Sequence, residues 1–321
     1  MCSQFNGRYS PQAKLAGILT ALLLILGARP SDAQLSVEDF PDLELTNFSY
    51  VNQATRDAFH DEALQRSTEP FKIFDNLYYV GIQWVASYLL VTDDGLILID
   101  SLHEPYIETG VEHIRELGFD PADIAYVLGT HGHFDHMGGH AYYQQNFDAR
   151  VALTAADWKR AQTDANQEAF RMEVADVDMV IQDGDVLELG GQKMTFYITP
   201  GHTEGVLSME FQVRDGATEY RVVVFGGGGV RGNDYWMRQT ALGNIHRFQT
   251  LAAQSPPFRV RIAGHPSGPG GAGDVSLFAL GQQLAERTPS DPHPFVNDPS
   301  VFIDYLAGAA ANIERAILTA P

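Results

Sequence analysis

The chain has 321 residues, with 41 acidic against 21 basic side chains and a net charge of -20. Such an acidic balance disfavours nucleic acid and anionic membrane surfaces as partners. A single cysteine rules out an intramolecular disulfide, so a packed core must hold a chain of this length together.

The first 33 residues read as a cleavable export signal. Arg8 and Lys14 give a basic start, residues 15–26 form an apolar run, and Ser31, Asp32 and Ala33 fit a cleavage site before Gln34. Twelve apolar residues are too few to span a bilayer comfortably, and no later stretch is long and apolar enough to try. The expected location is therefore the periplasm or the exterior, without a membrane anchor. Cys2 leaves with the signal.

Residues 34–70 read as an N-terminal segment with a short helix near 53–64, and residues 71–321 as the folded domain. Strand signals begin at Phe71, over 71–74, 77–80, 86–92 and 95–99, separated by Asp-Asn and Asp-Asp-Gly turns. A helix is expected over 103–117, with Ile107, Val111, Ile114 and Leu117 on one face. A strand over 125–130 and a helix over 138–147 follow. The second half repeats the pattern: strand 151–154, helix 155–162, strands near 179–181, 186–189, 193–198, 208–213 and 221–225, helix 238–253, and strand 259–263. Helices over 274–286 and 299–318 close the chain. Two blocks of strands, each ending in helices, imply an α/β fold arranged as a four-layer αββα sandwich.

Chemistry concentrates at the end of the strand over 125–130. His131, His133, Asp135 and His136 place three imidazoles and a carboxylate within six residues. Imidazole and carboxylate together suit a borderline divalent ion such as zinc. A solvated polar turn would leave these four side chains without a common purpose. His202 follows a Pro-Gly turn at one strand end, and His265 directly follows another apolar strand. Strand-end loops on one rim are where sheets present ligands. The expected assignment gives His131, His133 and His202 to a first zinc ion, and Asp135, His136 and His265 to a second. A water between two such ions loses its proton near neutral pH, giving a metal-bound hydroxide, and Asp135 would orient it and carry its proton.

The other histidines carry weaker signals. His140 is expected to pack, cap or back the ligands, and His60, His103, His113, His246 and His293 to serve ordinary surface or packing roles. The run Gly226–Gly229 lacks a following Gly-Lys-Ser/Thr, so the phosphate-loop reading fails and a tight backbone passage is expected instead. Asp176, Asp178, Asp183 and Asp185 lack calcium-loop spacing and are read as turn residues.

With these residues in place, the chain resembles the metallo-β-lactamase superfamily, whose signature is His-x-His-x-Asp-His. The resemblance runs from about Phe71 to Leu318 and includes residues 76–81, 87–100 and 199–203. Within it the chain is most similar to the third subclass, which holds its second zinc by Asp-His-His, here Asp135, His136 and His265. Residues 293–299 also resemble the tail of that subclass. Glyoxalase II, acyl-homoserine lactonases and persulfide dioxygenases place a metal-binding Asp after the strand that here ends in Gly226, and the first two lactamase subclasses place a Cys there. The resemblance implies a dizinc hydrolase of small molecules that opens β-lactam rings. The alternatives are the same machinery acting on another ester, lactone or amide, and a metal-binding protein without useful turnover. The third subclass often has a serine near Gly226 for the substrate carboxylate. A glycine run supplies no side chain, which leaves Arg231 and Ser267 as weak candidates.

Overall fold

The computed structural model describes residues 67–165, 172–226, 230, 235–266 and 276–319. The export signal, the segment over 53–64, His60, Arg231, Ser267 and residues 227–229 lie outside the described residues.

A seven-stranded sheet carries β1 (Phe71–Phe74), β2 (Leu77–Tyr79), β3 (Tyr88–Thr92), β4 (Gly95–Ile99), β5 (Ile124–Leu128), β6 (Arg150–Thr154) and β7 (Met179–Ile181), in that spatial order. The pairs from β1 to β4 are antiparallel and those from β4 to β7 parallel. Crossovers between the parallel strands are made by α1 (Ile107–Glu116), by the helical turn α2 (Phe134–Met137) with α3 (His140–Phe147), and by α4 (Ala155–Ala165). The second sheet has the order β12 (Phe258–Ile262), β11 (Thr218–Val224), β10 (Leu207–Asp215), β9 (Gln192–Ile198) and β8 (Val186–Leu189). Helices α5 (Tyr235–Ala252), α6 (Leu277–Glu286) and α7 (Pro299–Leu318) complete the described elements.

Strand alternation builds the layers. In β4, Ile97 and Ile99 join the core between the sheets, together with Phe196, Met209 and Phe211 of the second sheet. Their neighbours Leu96 and Leu98 face outward onto Val111, Ile114, Tyr143 and Trp158 of the helices. Likewise Val222 and Val224 of β11 point to the central core, while Val223 packs on Ile245 and Phe248 of α5 and on Phe302 and Leu306 of α7. Period-two residues buried on both faces explain why these strands read as apolar runs, and the result is the expected αββα order.

The structure shifts several expected boundaries, with identifiable causes. α1 starts at Ile107 because residues 103–106 close a turn in which the Tyr106 amide donates to the His103 carbonyl at 2.7 Å. β3 starts at Tyr88 because the Ala86 amide donates at 2.9 Å to Gly264, on the loop after β12. α5 begins earlier than expected, at Tyr235, and α6 later, at Leu277, where the Ser276 hydroxyl accepts the Ala279 amide as a cap. Asp178 and Asp183 serve as turn and ion-pair residues, binding Arg150 and Arg247 respectively. Among the described residues no helix is long and apolar enough to cross a membrane.

Candidate metal centre

Three segments at strand ends meet on one rim. The segment after β5 carries His131 and His133, and α2 follows at once with Asp135 and His136 on one helical turn. The loop after β9 brings His202, and the loop after β12 brings His265. The structure gathers the six into two groups, His131 with His133 and His202, and Asp135 with His136 and His265.

Within each group the candidate ligand atoms lie within 4.8 Å of one another. His133 Nδ1 and His202 Nε2 are 3.1 Å apart, and His136 Nε2 and His265 Nε2 are 3.2 Å apart. Asp135 Oδ2 lies 3.3 Å from His136 Nε2 and 3.6 Å from His265 Nε2. Ligands held about 2.0–2.1 Å from a tetrahedral zinc are separated by about 3.3–3.4 Å, so both groups have the spacing of one ion's ligand set. His131 Nε2 is buried without a hydrogen-bond partner among the described residues, as expected of an atom kept for an ion. The ring centroids of His131 and His136 are 4.1 Å apart, so the two groups adjoin. His131, His133, Asp135 and His136 are buried, whereas His202 and His265 are only partly so, and the centre opens on their side.

The protonation states of both groups suit metal ligation. Burial, reinforced by the surrounding imidazoles, holds His131 well below the usual histidine range, and burial with His202 does the same to His133. Both rings are therefore neutral at pH 7, with lone pairs to donate. Burial also opposes charge on His136, but Asp135 and Asp100 outweigh it and lift that imidazole to about 10. The flanking carboxylates thus call for a positive charge at His136, which a divalent ion meets in place of the proton.

The supporting shell was not assigned from sequence. Asp100, directly after β4, accepts from His136 Nδ1 at 2.7 Å, from the Thr130 amide at 2.7 Å and from the Thr130 hydroxyl at 2.9 Å. Its φ of 61° is unusual for a residue other than glycine and directs its carboxylate at both segments. His265 Nδ1 donates to the Trp84 carbonyl at 2.6 Å, which leaves Nε2 facing Asp135. The Trp84 ring stands 5.6 Å from the His265 ring and forms an aromatic wall beside it. The only sequence cue for Asp100 was a carboxylate closing an apolar strand; Trp84 offered none.

The remaining sequence candidates separate clearly. His140 is wholly buried behind the centre, with Nδ1 2.8 Å from the Ser101 hydroxyl, and takes no part in either group. His103 and His113 bind backbone carbonyls, and His293 donates to the Ile73 carbonyl while stacking on Phe74. Gly226 ends the strand hairpin where a Cβ would approach Val206 Cγ1 to 2.7 Å and the Leu207 carbonyl oxygen to 3.0 Å. A side chain at this position would crowd the neighbouring strand, which accounts for the glycine.

His140 supplies a pH test. Burial lowers its pKa from 6.5 to about 3, so on acidification the unfolded chain takes the proton first. The stabilising contribution is present above about pH 6.5 and is lost as pH falls toward 3, at up to roughly 1.4 kcal/mol per unit. In chelator, urea unfolding between pH 7 and 5 should show a shallower acid slope for His140→Gln than for the parent. Equal slopes would contradict the assignment.

Known proteins resemble this chain in sequence and in fold. The family model of the metallo-beta-lactamase superfamily matches residues 85–216. The FEZ-1 metallo-beta-lactamase from Legionella gormanii superposes with a TM-score of 0.66 at 28% identity, covering 78% of this chain and 95% of that one. BJP-1, a subclass B3 metallo-beta-lactamase of Bradyrhizobium japonicum, superposes with a TM-score of 0.65 at 26% identity, covering 79% of this chain and 95% of that one. A hydroxyacylglutathione hydrolase of Rhodopseudomonas palustris is 35% identical over 111 residues, 35% of this chain and 37% of the relative. The chain thus spans little more than a third of that curated relative's length. Residues 85–216 thus carry a metallo-beta-lactamase superfamily domain, and a subclass B3 enzyme is among the chain's structural neighbours.

Proposed function

We propose that the protein is an exported dizinc hydrolase whose substrates are β-lactam antibiotics. The observation that carries this reading is the pair of adjoining ligand groups on one rim, with Asp135-His136-His265 as the second. The likeness to FEZ-1 and BJP-1 over nearly the whole of those chains supports it. On this reading residues 1–33 direct export, 34–70 form an N-terminal segment and 71–321 form the catalytic domain.

When bound, two zinc ions supply a water of lowered pKa and Lewis acids for a carbonyl oxygen and for a departing nitrogen. The chain does the rest. His131, His133 and His202 would hold one ion, and Asp135, His136 and His265 the other. Asp135, the acidic member, orients the attacking water and takes its proton, then returns it to the amine nitrogen as the ring opens. Asp100 and the Trp84 carbonyl fix two ligand rings before substrate arrives. The open side beside His202 and His265, walled by Trp84, admits the substrate.

A second reading, hydrolysis of another lactone, ester or amide, is favoured by the likeness to the hydroxyacylglutathione hydrolase and by the glycine run from Gly226. A β-lactam's carboxylate needs a cation or hydroxyl that this run does not supply. β-Lactam turnover is therefore expected with a raised KM and an intact chemical step. Assays of the purified protein on a chromogenic cephalosporin, an acylglutathione and a lactone decide between the two. Fastest turnover should fall on the cephalosporin; faster hydrolysis of either competitor moves the assignment to the second reading.

A further inference from the structure

Beneath the first ligand group lies a buried carboxylate that the proposed chemistry does not use. Asp157 sits on the first turn of α4 with no solvent exposure. Its Oδ2 accepts from the Thr203 hydroxyl at 2.9 Å, and Thr203 directly follows His202. The end of β6 and the first turns of α4 add two more ties to this segment. Thr154 donates its hydroxyl to the Gly205 carbonyl at 2.8 Å, and Arg160 Nη2 meets Glu204 Oε2 at 2.6 Å. Thr154 ends β6, while Asp157 and Arg160 lie three apart on α4, and together the three fasten the consecutive residues 203–205.

Asp157 also touches the other ligand segment. A Cβ on Gly132, between His131 and His133, would come within 2.6 Å of the Asp157 carbonyl oxygen and 3.0 Å of its Cβ. A Cβ on Gly205 would likewise lie 2.7 Å from Asp157 Cγ. Both backbone segments that deliver the first histidine group are thus seated on one residue.

We infer that Asp157 is a positioning residue for the first metal site, acting through Thr203 and Gly132. The inference rests on the dizinc reading. The second group is held by other supports, Asp100 and Trp84, so loss of Asp157 should weaken one ion and spare the other. Outer partners of this kind contribute about 10–100-fold to metal affinity.

The test is titration of the purified full-length protein with cobalt(II) against a chromophoric chelator, following the visible spectrum of each ion. His202→Ala and His265→Ala serve as references for loss of the first and second site. Asp157→Ala and Thr203→Val should each weaken one of two ions by about 10–100-fold and leave the spectrum of the His202→Ala reference. Asp157→Asn, which keeps an acceptor for Thr203, should restore near-parental affinity. Parental affinity for both ions in Asp157→Ala and Thr203→Val would overturn the inference, as would equal weakening of both ions. A parent protein that takes fewer than two ions fails the dizinc reading itself, and the inference with it.

Discussion

Asparagine at position 135 is expected to lower turnover by about two to four orders of magnitude, the usual range for removal of a positioned general acid–base group. Asp135 Oδ2 lies 3.3 Å from His136 Nε2 and 3.6 Å from His265 Nε2, which makes it the one anionic member of the six-residue set. Burial works against its charge, but His136 and His265 hold its carboxyl well below the usual range, so it is ionised at neutral pH. The amide of Asn keeps the shape and a weak ligand oxygen but neither charge nor proton acceptor. The rate should therefore fall much further than zinc content does, measured as kcat against metal per chain. Equal losses in rate and zinc would assign Asp135 a ligand's role alone.

Removing Asp100 should damage the centre without touching a ligand. In Asp100→Ala, His136 Nδ1 loses its acceptor, and so do the amide and hydroxyl of Thr130, the residue before His131. Loss of an outer partner costs about 10–100-fold in metal affinity. Each buried donor left unsatisfied costs roughly 1–3 kcal/mol of stability. The second ion, whose ligand His136 is freed, should weaken most, and the melting temperature should fall as well. Zinc titration with a thermal melt checks both; unchanged affinity at both sites would mean that the imidazole of His136 is held by packing alone.

The ligand residues were legible because they obey local rules. Three imidazoles and a carboxylate crowd one strand end, and His202 and His265 each follow an apolar run broken by glycine. The strands were legible for the same reason: the alternation of Leu96 and Leu98 against Ile97 and Ile99 follows from the pleat. The supports were not. Asp100 reaches His136 across 36 residues and Asp157 reaches Thr203 across 46, so neither contact leaves a trace in local spacing. Trp84 meets His265 across 181 residues and reads as one more apolar residue of a hairpin. Element starts differ from the sequence reading where tertiary contacts intervene, as where Ala86 is drawn to Gly264 instead of extending β3. A pattern reports which face a residue occupies, whereas these contacts depend on which loops the finished sandwich brings together.

Metal content read alongside hydrolysis bears most directly on the central claim. Purified under zinc-replete conditions, the protein should carry close to two zinc ions per chain and hydrolyse a chromogenic cephalosporin. Chelation should abolish that activity and added zinc restore it, while serine-directed inhibitors leave it unchanged. A stoichiometry that stays at or below one ion, or hydrolysis that survives complete removal of metal, would contradict the account.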